Sequence, residues 1–146
     1  MGAPLAESLS TQTISTRPKV LLVDDQKAFT DLFKTLLEEG LQLATTAFND
    51  PREALAALLP GGAIARPESQ PSLVISDLVM PGMDGFQFLR EVAEILPGVP
   101  SILVTGGRPE PARVQASQPP HFLGVLYKPI SWRELAHLLR EHDVIS

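Results

Sequence analysis

From Lys19 onward, short runs of branched aliphatic residues alternate with stretches in which apolar positions recur every three or four residues. Buried parallel strands read as continuous apolar runs and their crossover helices show one apolar face, so the alternation predicts βαβ units. Residues 20–23 form the first predicted strand. Residues 27–39 follow as a helix with Phe29, Leu32, Phe33, Leu36 and Leu37 on one face, and Gly40 is placed to stop it. A second strand is expected over residues 42–47. Asp50, Pro51 and Glu53 then read as N-cap, first helical residue and capping-box partner of a short Ala/Leu-rich helix that ends at Pro60. Residues 61–72 have no periodicity and read as a loop, long for a compact α/β connection.

The pattern resumes with a strand at residues 73–76 and a helix over about residues 84–96, burying Phe86, Leu89, Val92, Ala93 and Leu96 and ended by Pro97 and Gly98. Residues 101–104 form a fourth strand. The prolines and glycines crowding residues 106–120 leave room only for a short helix, 110–117. A fifth strand at residues 125–127 leads to a last helix, capped by Ser131 with Glu134 and running to about His142. Five strands and five helices in strict alternation predict an α/β fold: a five-stranded, doubly wound parallel sheet with right-handed crossovers and helices on both faces.

At 146 residues the chain fits one domain. Residues 1–18 have neither a basic start nor an apolar middle, so they are not a signal peptide and read as a disordered, Ser/Thr-rich leader to a domain over residues 19–146. A net charge of −5 opposes direct binding to nucleic acid, which needs clustered Lys and Arg. Every apolar run is interrupted well short of the roughly 18 residues of a membrane span, so no membrane insertion is expected. Without cysteine the chain has no disulfide, thiolate metal site or thiol nucleophile, which fits a reducing, cytoplasmic setting.

Candidate chemistry lies at the strand ends. Asp24 and Asp25 end the first apolar run, Asp77 the third, Thr105 the fourth and Lys128 the fifth. In an open parallel sheet the carboxyl ends share one edge, so these residues are expected to converge on one crevice. Three carboxylates, a hydroxyl and an ammonium suit a hard divalent cation held beside a phosphoryl group. Without a metal, mutual repulsion is expected to raise at least one carboxyl pKa. With Mg²⁺, or Mn²⁺ in its place, Asp77 stays ionised and can act as nucleophile toward phosphorus, while Thr105 and Lys128 donate to the non-bridging oxygens. Taken singly the residues have plainer roles: Thr105 as a turn cap, Lys128 as a surface cation, Asp84 as a helix cap. His121, His137 and His142 show no metal-ligand spacing, and Trp132 reads as a packing residue.

With Val-Asp-Asp at 23–25, Asp-Leu-Val-Met-Pro-Gly-Met-Asp-Gly at 77–85, Val-Thr-Gly at 104–106 and Tyr-Lys-Pro at 127–129, the chain resembles the receiver domain of bacterial response regulators, over about residues 19–142. The resemblance implies a flavodoxin-like (βα)5 three-layer sandwich. It implies that Asp77 is the phosphoacceptor, that Asp25 binds Mg²⁺ directly and Asp24 largely through water, and that the Val79 backbone carbonyl completes the protein ligands. Thr105 and Lys128 would hold the phosphoryl group, with the Lys128–Pro129 bond cis. The implied phosphoryl donor is a sensor histidine kinase or histidine phosphotransfer protein, and the output is an effector protein, or a second copy of the chain, that reads the face of the fourth helix, fifth strand and fifth helix. The chain departs from the family pattern at Val125, where many members carry a switching aromatic; Tyr127 is the nearest aromatic. It fits a stand-alone protein and the receiver piece of a hybrid histidine kinase alike. The competing readings are a receiver that docks partners without phosphorylation, and a Mg²⁺-dependent phosphatase of the haloacid-dehalogenase type. That phosphatase type carries Asp-x-Asp on its first strand, whereas here the two acids are adjacent.

Overall fold

The computed structural model describes residues 17–145. Strands β1 (Lys19–Val23), β2 (Ala44–Phe48), β3 (Leu73–Asp77), β4 (Ser101–Thr105) and β5 (Phe122–Tyr127) alternate with helices α1 (Lys27–Gly40), α2 (Pro51–Leu58), α3 (Gly85–Ile95), α4 (Pro111–Ser117) and α5 (Trp132–Glu141). All pairings are parallel and the order is β2-β1-β3-β4-β5. This is the expected α/β fold. The winding reverses between β1 and β3, so the crevice for chemistry opens at the carboxyl ends of those two strands. The leader expectation falls mainly on residues 1–16, which lie outside the described residues. Among the described residues, no helix is long and apolar enough to cross a membrane.

Because successive side chains on a strand point to opposite faces, the apolar strands feed two cores. Leu21, Val23 and Val74 pack with Leu55 and Leu58 of α2 and Phe86 of α3. On the other face Val20, Leu22 and Ile75 pack with Phe33 and Leu37 of α1 and Leu135 of α5. Each such buried side chain contributes roughly 1.5–3 kcal/mol, enough for the two layers to hold the strand ends in place.

Element boundaries differ from the apolar pattern where a local conformation overrides it. Gln42 sits at φ 59°, so β2 starts at Ala44, later than expected, and continues through Phe48. The strand predicted at 125–127 starts at Phe122, because Gly124 (φ 150°) lies at a register shift between Ser101 and Ile102 that breaks the apolar run without ending the strand. Gly40 does not stop α1. It is the last helical residue, and its missing side chain admits the Trp132 ring, which a Cβ would meet at 2.8 Å. Asp50 caps α2 through the Arg52 N–H at 2.9 Å rather than through Glu53, and the helix ends at Leu58. Residues 61–72 are not structureless: Ile64 is buried and its N–H donates to the Ala57 carbonyl at 3.0 Å, and a 3-10 turn spans Pro67–Ser69.

On α1 the predicted apolar face is wider than the sheet can cover. Phe33 and Leu37 are buried and Phe29 is half-buried, but Leu32 and Leu36 are 62% and 43% exposed. Both line an apolar groove between α1 and α5.

Candidate functional site

The site begins in the register of two central strands. Val23 of β1 pairs with Ser76 of β3, so the next residues along, Asp24 and Asp77, leave the sheet side by side. One carboxylate oxygen from each of Asp24, Asp25 and Asp77 lies within 4.8 Å of the others. Asp24 and Asp77 are buried, at 1% and 8% exposure, whereas Asp25 faces solvent. The Lys128 Nζ reaches in from β5, 2.7 Å from Asp24 Oδ2 and 3.9 Å from Asp77 Oδ2. Beneath it lies the Phe29 ring, with the ammonium 4.1 Å from the ring centre, a cation–π contact that helps hold a partly desolvated charge.

Lys128 is positioned by its backbone. Its N–H donates to the Thr105 carbonyl at 2.8 Å, and the Lys128–Pro129 bond is cis. Thr105, 1% exposed, is the last residue of β4 and pairs with Tyr127. Its hydroxyl accepts the Gly107 N–H at 3.2 Å, the turn-capping contact that this residue predicts when taken alone. The structure thus joins Asp24, Asp25, Asp77 and Lys128 directly and places Thr105 at the neighbouring strand end, one residue beyond the partner of Asp77. Val79 follows Asp77 closely, with its side chain 70% exposed. Val125 packs against the α2–α3 core. Tyr127 is 38% exposed, with the Arg108 guanidinium 5.0 Å from its ring centre.

The electrostatics follow from burial. The Asp77 carboxyl is pushed above its ordinary pKa, first by burial and then by the charge of Asp24; Lys128 and the Leu78 N–H oppose the rise, and Asp25 adds a little to it. Mutual repulsion, expected from the sequence, is therefore real but second to desolvation. Asp77 Oδ1 accepts the Leu78 N–H at 2.8 Å, while Oδ2 is the oxygen nearer Lys128. Asp24 Oδ1 accepts the Gln26 N–H at 2.9 Å and Oδ2 is the oxygen paired with Lys128. Hard carboxylate oxygens crowded this closely are the donor set that Mg²⁺ takes, and an elevated acid within the cluster is what a cation would relieve.

Several supporting residues are not signalled by the apolar pattern. Asn49, just after β2, donates through Nδ2 to the Asp24 carbonyl at 2.8 Å and to Thr30 Oγ1 at 3.0 Å, tying the acidic turn to α1. Its only sequence cue is its place at the end of a strand on the same edge. Gly85 is required sterically: a Cβ there would collide with the Asp77 carbonyl and come within 2.7 Å of Leu103, and its N–H donates to the Leu78 carbonyl at 2.8 Å. Phe29, read only as an apolar helix position, is the platform under Lys128. Asp84 is the expected helix cap, accepting the Gln87 N–H at 2.9 Å, and it also pairs with Arg113 at 3.0 Å. His121, His137 and His142 are exposed, and none of them belongs to the acidic cluster.

Comparison with known proteins points the same way. A 39% identical stretch of 108 residues is shared with DctD, the C4-dicarboxylate transport transcriptional regulatory protein of Rhizobium meliloti (strain 1021), covering 72% of this chain and 21% of that protein. The chain therefore spans about a fifth of that regulator's length. An uncharacterized 14.6 kDa protein of Leptolyngbya boryana is 34% identical over 125 residues, covering 84% of this chain and 88% of the relative. Among solved structures, the signal receiver domain of an HD domain-containing protein from Pseudomonas fluorescens Pf-5 has a TM-score of 0.70 at 30% identity, covering 86% of this chain and 93% of that one. The family model described as the response regulator receiver domain matches residues 20–140, and with the strand order and the acidic edge in agreement, the chain belongs to this family of two-component signalling domains.

Proposed function

We propose that Asp77 accepts a phosphoryl group from a phosphohistidine on a sensor histidine kinase or histidine phosphotransfer protein, in a Mg²⁺-dependent reaction. The observation that carries this reading is the cluster itself: a buried, elevated carboxylate flanked by two acids and a lysine at the switch point of a parallel sheet. Asp24, Asp25, Asp77 and the Val79 carbonyl are the residues to hold the ion. When bound, Mg²⁺ offsets the charge of the carboxylates and of the incoming phosphoryl oxygens.

Asp77 Oδ2, the oxygen not engaged by Leu78, attacks phosphorus. The P–N bond to the donor breaks as the imidazole, protonated on its second nitrogen, leaves as a neutral ring. The Lys128 ammonium, now on Asp24, turns to the transferred oxygens, and the Thr105 hydroxyl exchanges the Gly107 N–H for the phosphoryl group. Movement at Thr105 is carried to β5 through the Thr105–Tyr127 pairing and the Lys128 N–H bond, altering the α4–β5–α5 face that an effector reads. The donor's approach is supplied by the α1–α5 groove, which shares Lys128 with the site. An apolar helix laid along Leu32 and Leu36 brings its own side chains to the Asp77 edge.

The test is intact-mass spectrometry after incubation with acetyl phosphate, with and without Mg²⁺, for the wild type and Asp77→Asn. A gain of one phosphoryl group that needs both Mg²⁺ and Asp77 is expected. No gain in the wild type overturns the reading in favour of a docking module that works without phosphorylation.

A further inference from the structure

The three acids of the cluster are held to different degrees. Asp24 is fixed at both carboxylate oxygens, by the Gln26 N–H at 2.9 Å and by the Lys128 ammonium at 2.7 Å. Asp77 is fixed through Oδ1, which accepts the Leu78 N–H at 2.8 Å. The Asp25 carboxylate faces solvent, and among the described residues no hydrogen bond or ion pair holds it. Its place in the cluster therefore depends on the backbone that carries it, and first on the Asp24–Asp25 peptide.

That peptide is gripped from β2. Val23 pairs with Phe48, and the Asp24 N–H continues the ladder by donating to the Phe48 carbonyl at 3.2 Å, which brings the next residue, Asn49, alongside. Asn49 Nδ2 lies 2.8 Å from the Asp24 carbonyl oxygen and 3.0 Å from Thr30 Oγ1. A carbonyl only accepts, and the Thr30 hydroxyl spends its own proton on the Lys27 carbonyl at 3.0 Å, so both receive hydrogens from the amide. The chemistry of the partners fixes which way the amide faces, and both of its hydrogens are used. Thr30 is 1% exposed and belongs to α1, so the amide is anchored to a buried point of the frame.

We propose that Asn49 is a positioning residue for the divalent cation: it touches neither metal nor phosphorus, and by holding the Asp24–Asp25 peptide it sets where the Asp25 carboxylate stands. The inference rests on the reading that Asp24, Asp25 and Asp77 hold Mg²⁺. That ion tolerates little error, since it demands near-octahedral oxygen ligands at about 2.0–2.1 Å, whereas Ca²⁺ accepts about six to eight oxygens in flexible geometry. Loss of the grip therefore weakens Mg²⁺ far more than Ca²⁺. Groups that orient metal ligands contribute about 10–100-fold to affinity.

The experiment titrates Mg²⁺ and Ca²⁺ into the full chain and its Asn49→Ala variant, followed by NMR chemical shifts. Asn49 is exposed, so water can reach the freed carbonyl and the variant is expected to fold. Its Mg²⁺ affinity is expected to be about tenfold weaker, with the Ca²⁺ affinity within about twofold of wild type. Thr30→Val keeps the amide and removes its anchor, so it should reproduce part of the Mg²⁺ loss. Because the two residues act through one contact, the Asn49→Ala/Thr30→Val protein should lose no more than Asn49→Ala alone. Unchanged Mg²⁺ affinity in Asn49→Ala overturns the proposal, as do additive losses in the double variant. An equal loss of Mg²⁺ and Ca²⁺ also overturns it, and assigns Asn49 to the general stability of the fold. A wild type that binds no Mg²⁺ at the acidic cluster removes the metal reading and this inference with it, whereas equal binding by wild type and variant removes the inference alone.

Discussion

Helices α1 and α4 each follow a strand whose end contributes to the acidic site, but they are held to the sheet in different ways. Helix α1 has fourteen residues, buries Thr30, Phe33 and Leu37, and supplies both the hydroxyl that Asn49 grips and the ring under Lys128. Helix α4 has seven residues between prolines and buries none of them. It is held by half-buried Val114, by Arg90 donating to the Ser117 carbonyl at 2.9 Å, and by the exposed Arg113–Asp84 pair. Exposed ion pairs contribute roughly 0–1 kcal/mol. The side proposed to hold metal and phosphorus at fixed positions is thus packed firmly, and the side proposed to respond is packed lightly. Elements that move in switching are drawn from the low-stability end of a fold.

The contrast can be broken most forcefully on its firm side. Leu37→Ala removes a fully buried side chain from the α1–α5 core and is expected to destabilise the protein by about 2–5 kcal/mol in urea unfolding. A smaller loss would mean that α1 is not anchored as described. Next comes Gly85→Ala, which forces a Cβ against the Asp77 carbonyl; overpacking of this kind costs about 1–3 kcal/mol and should also slow phosphorylation, because it displaces the end of β3. Unchanged labelling kinetics in a folded Gly85→Ala protein would contradict that geometry.

A third test uses pH. The folded-state pKa of Asp77 is raised, so its contribution to stability is fully present below the unfolded carboxyl pKa of about 4 and is lost as pH rises through the folded value. Asp77→Asn should therefore melt above the metal-free wild type at neutral pH, with the gap closing toward pH 4 and narrowing when Mg²⁺ is added. A variant that melts below the wild type at neutral pH would contradict the electrostatic account. The smallest effect is expected at the light side: Val114→Ala should cost less than about 1 kcal/mol, since the side chain is only half-buried and leaves little cavity. A loss as large as that of Leu37→Ala would erase the contrast between the two helices.

The firm side was also the legible one. Strands with unbroken apolar runs, such as residues 20–23 and 101–104, announce themselves, and a strand end followed by Asp or Thr points to the carboxyl edge without further information. What escaped depends on contacts between residues distant in sequence. Gly40 reads as a helix stop because a glycine at a helix end usually is one; only the approach of Trp132, far along the chain, shows its other use. Leu32 and Leu36 fit the helical period as well as Phe33 and Leu37 do, and periodicity does not say how much of a stripe the sheet covers. Asn49 acts through a backbone carbonyl, which leaves no residue-type pattern to read. Gly124 interrupts the apolar run of β5, so the pattern points to a shorter strand than the one that forms, in which a bulge absorbs the interruption.

The most direct test of the central claim is to locate the phosphoryl group chemically. The protein is labelled with acetyl phosphate and Mg²⁺, treated with borohydride, which reduces an aspartyl phosphate to homoserine, and its peptides are sequenced by mass spectrometry. Homoserine at position 77 alone is the predicted result. Homoserine at position 24, 25 or 84, or none in a labelled protein, would contradict the assignment of Asp77 as the phosphoacceptor.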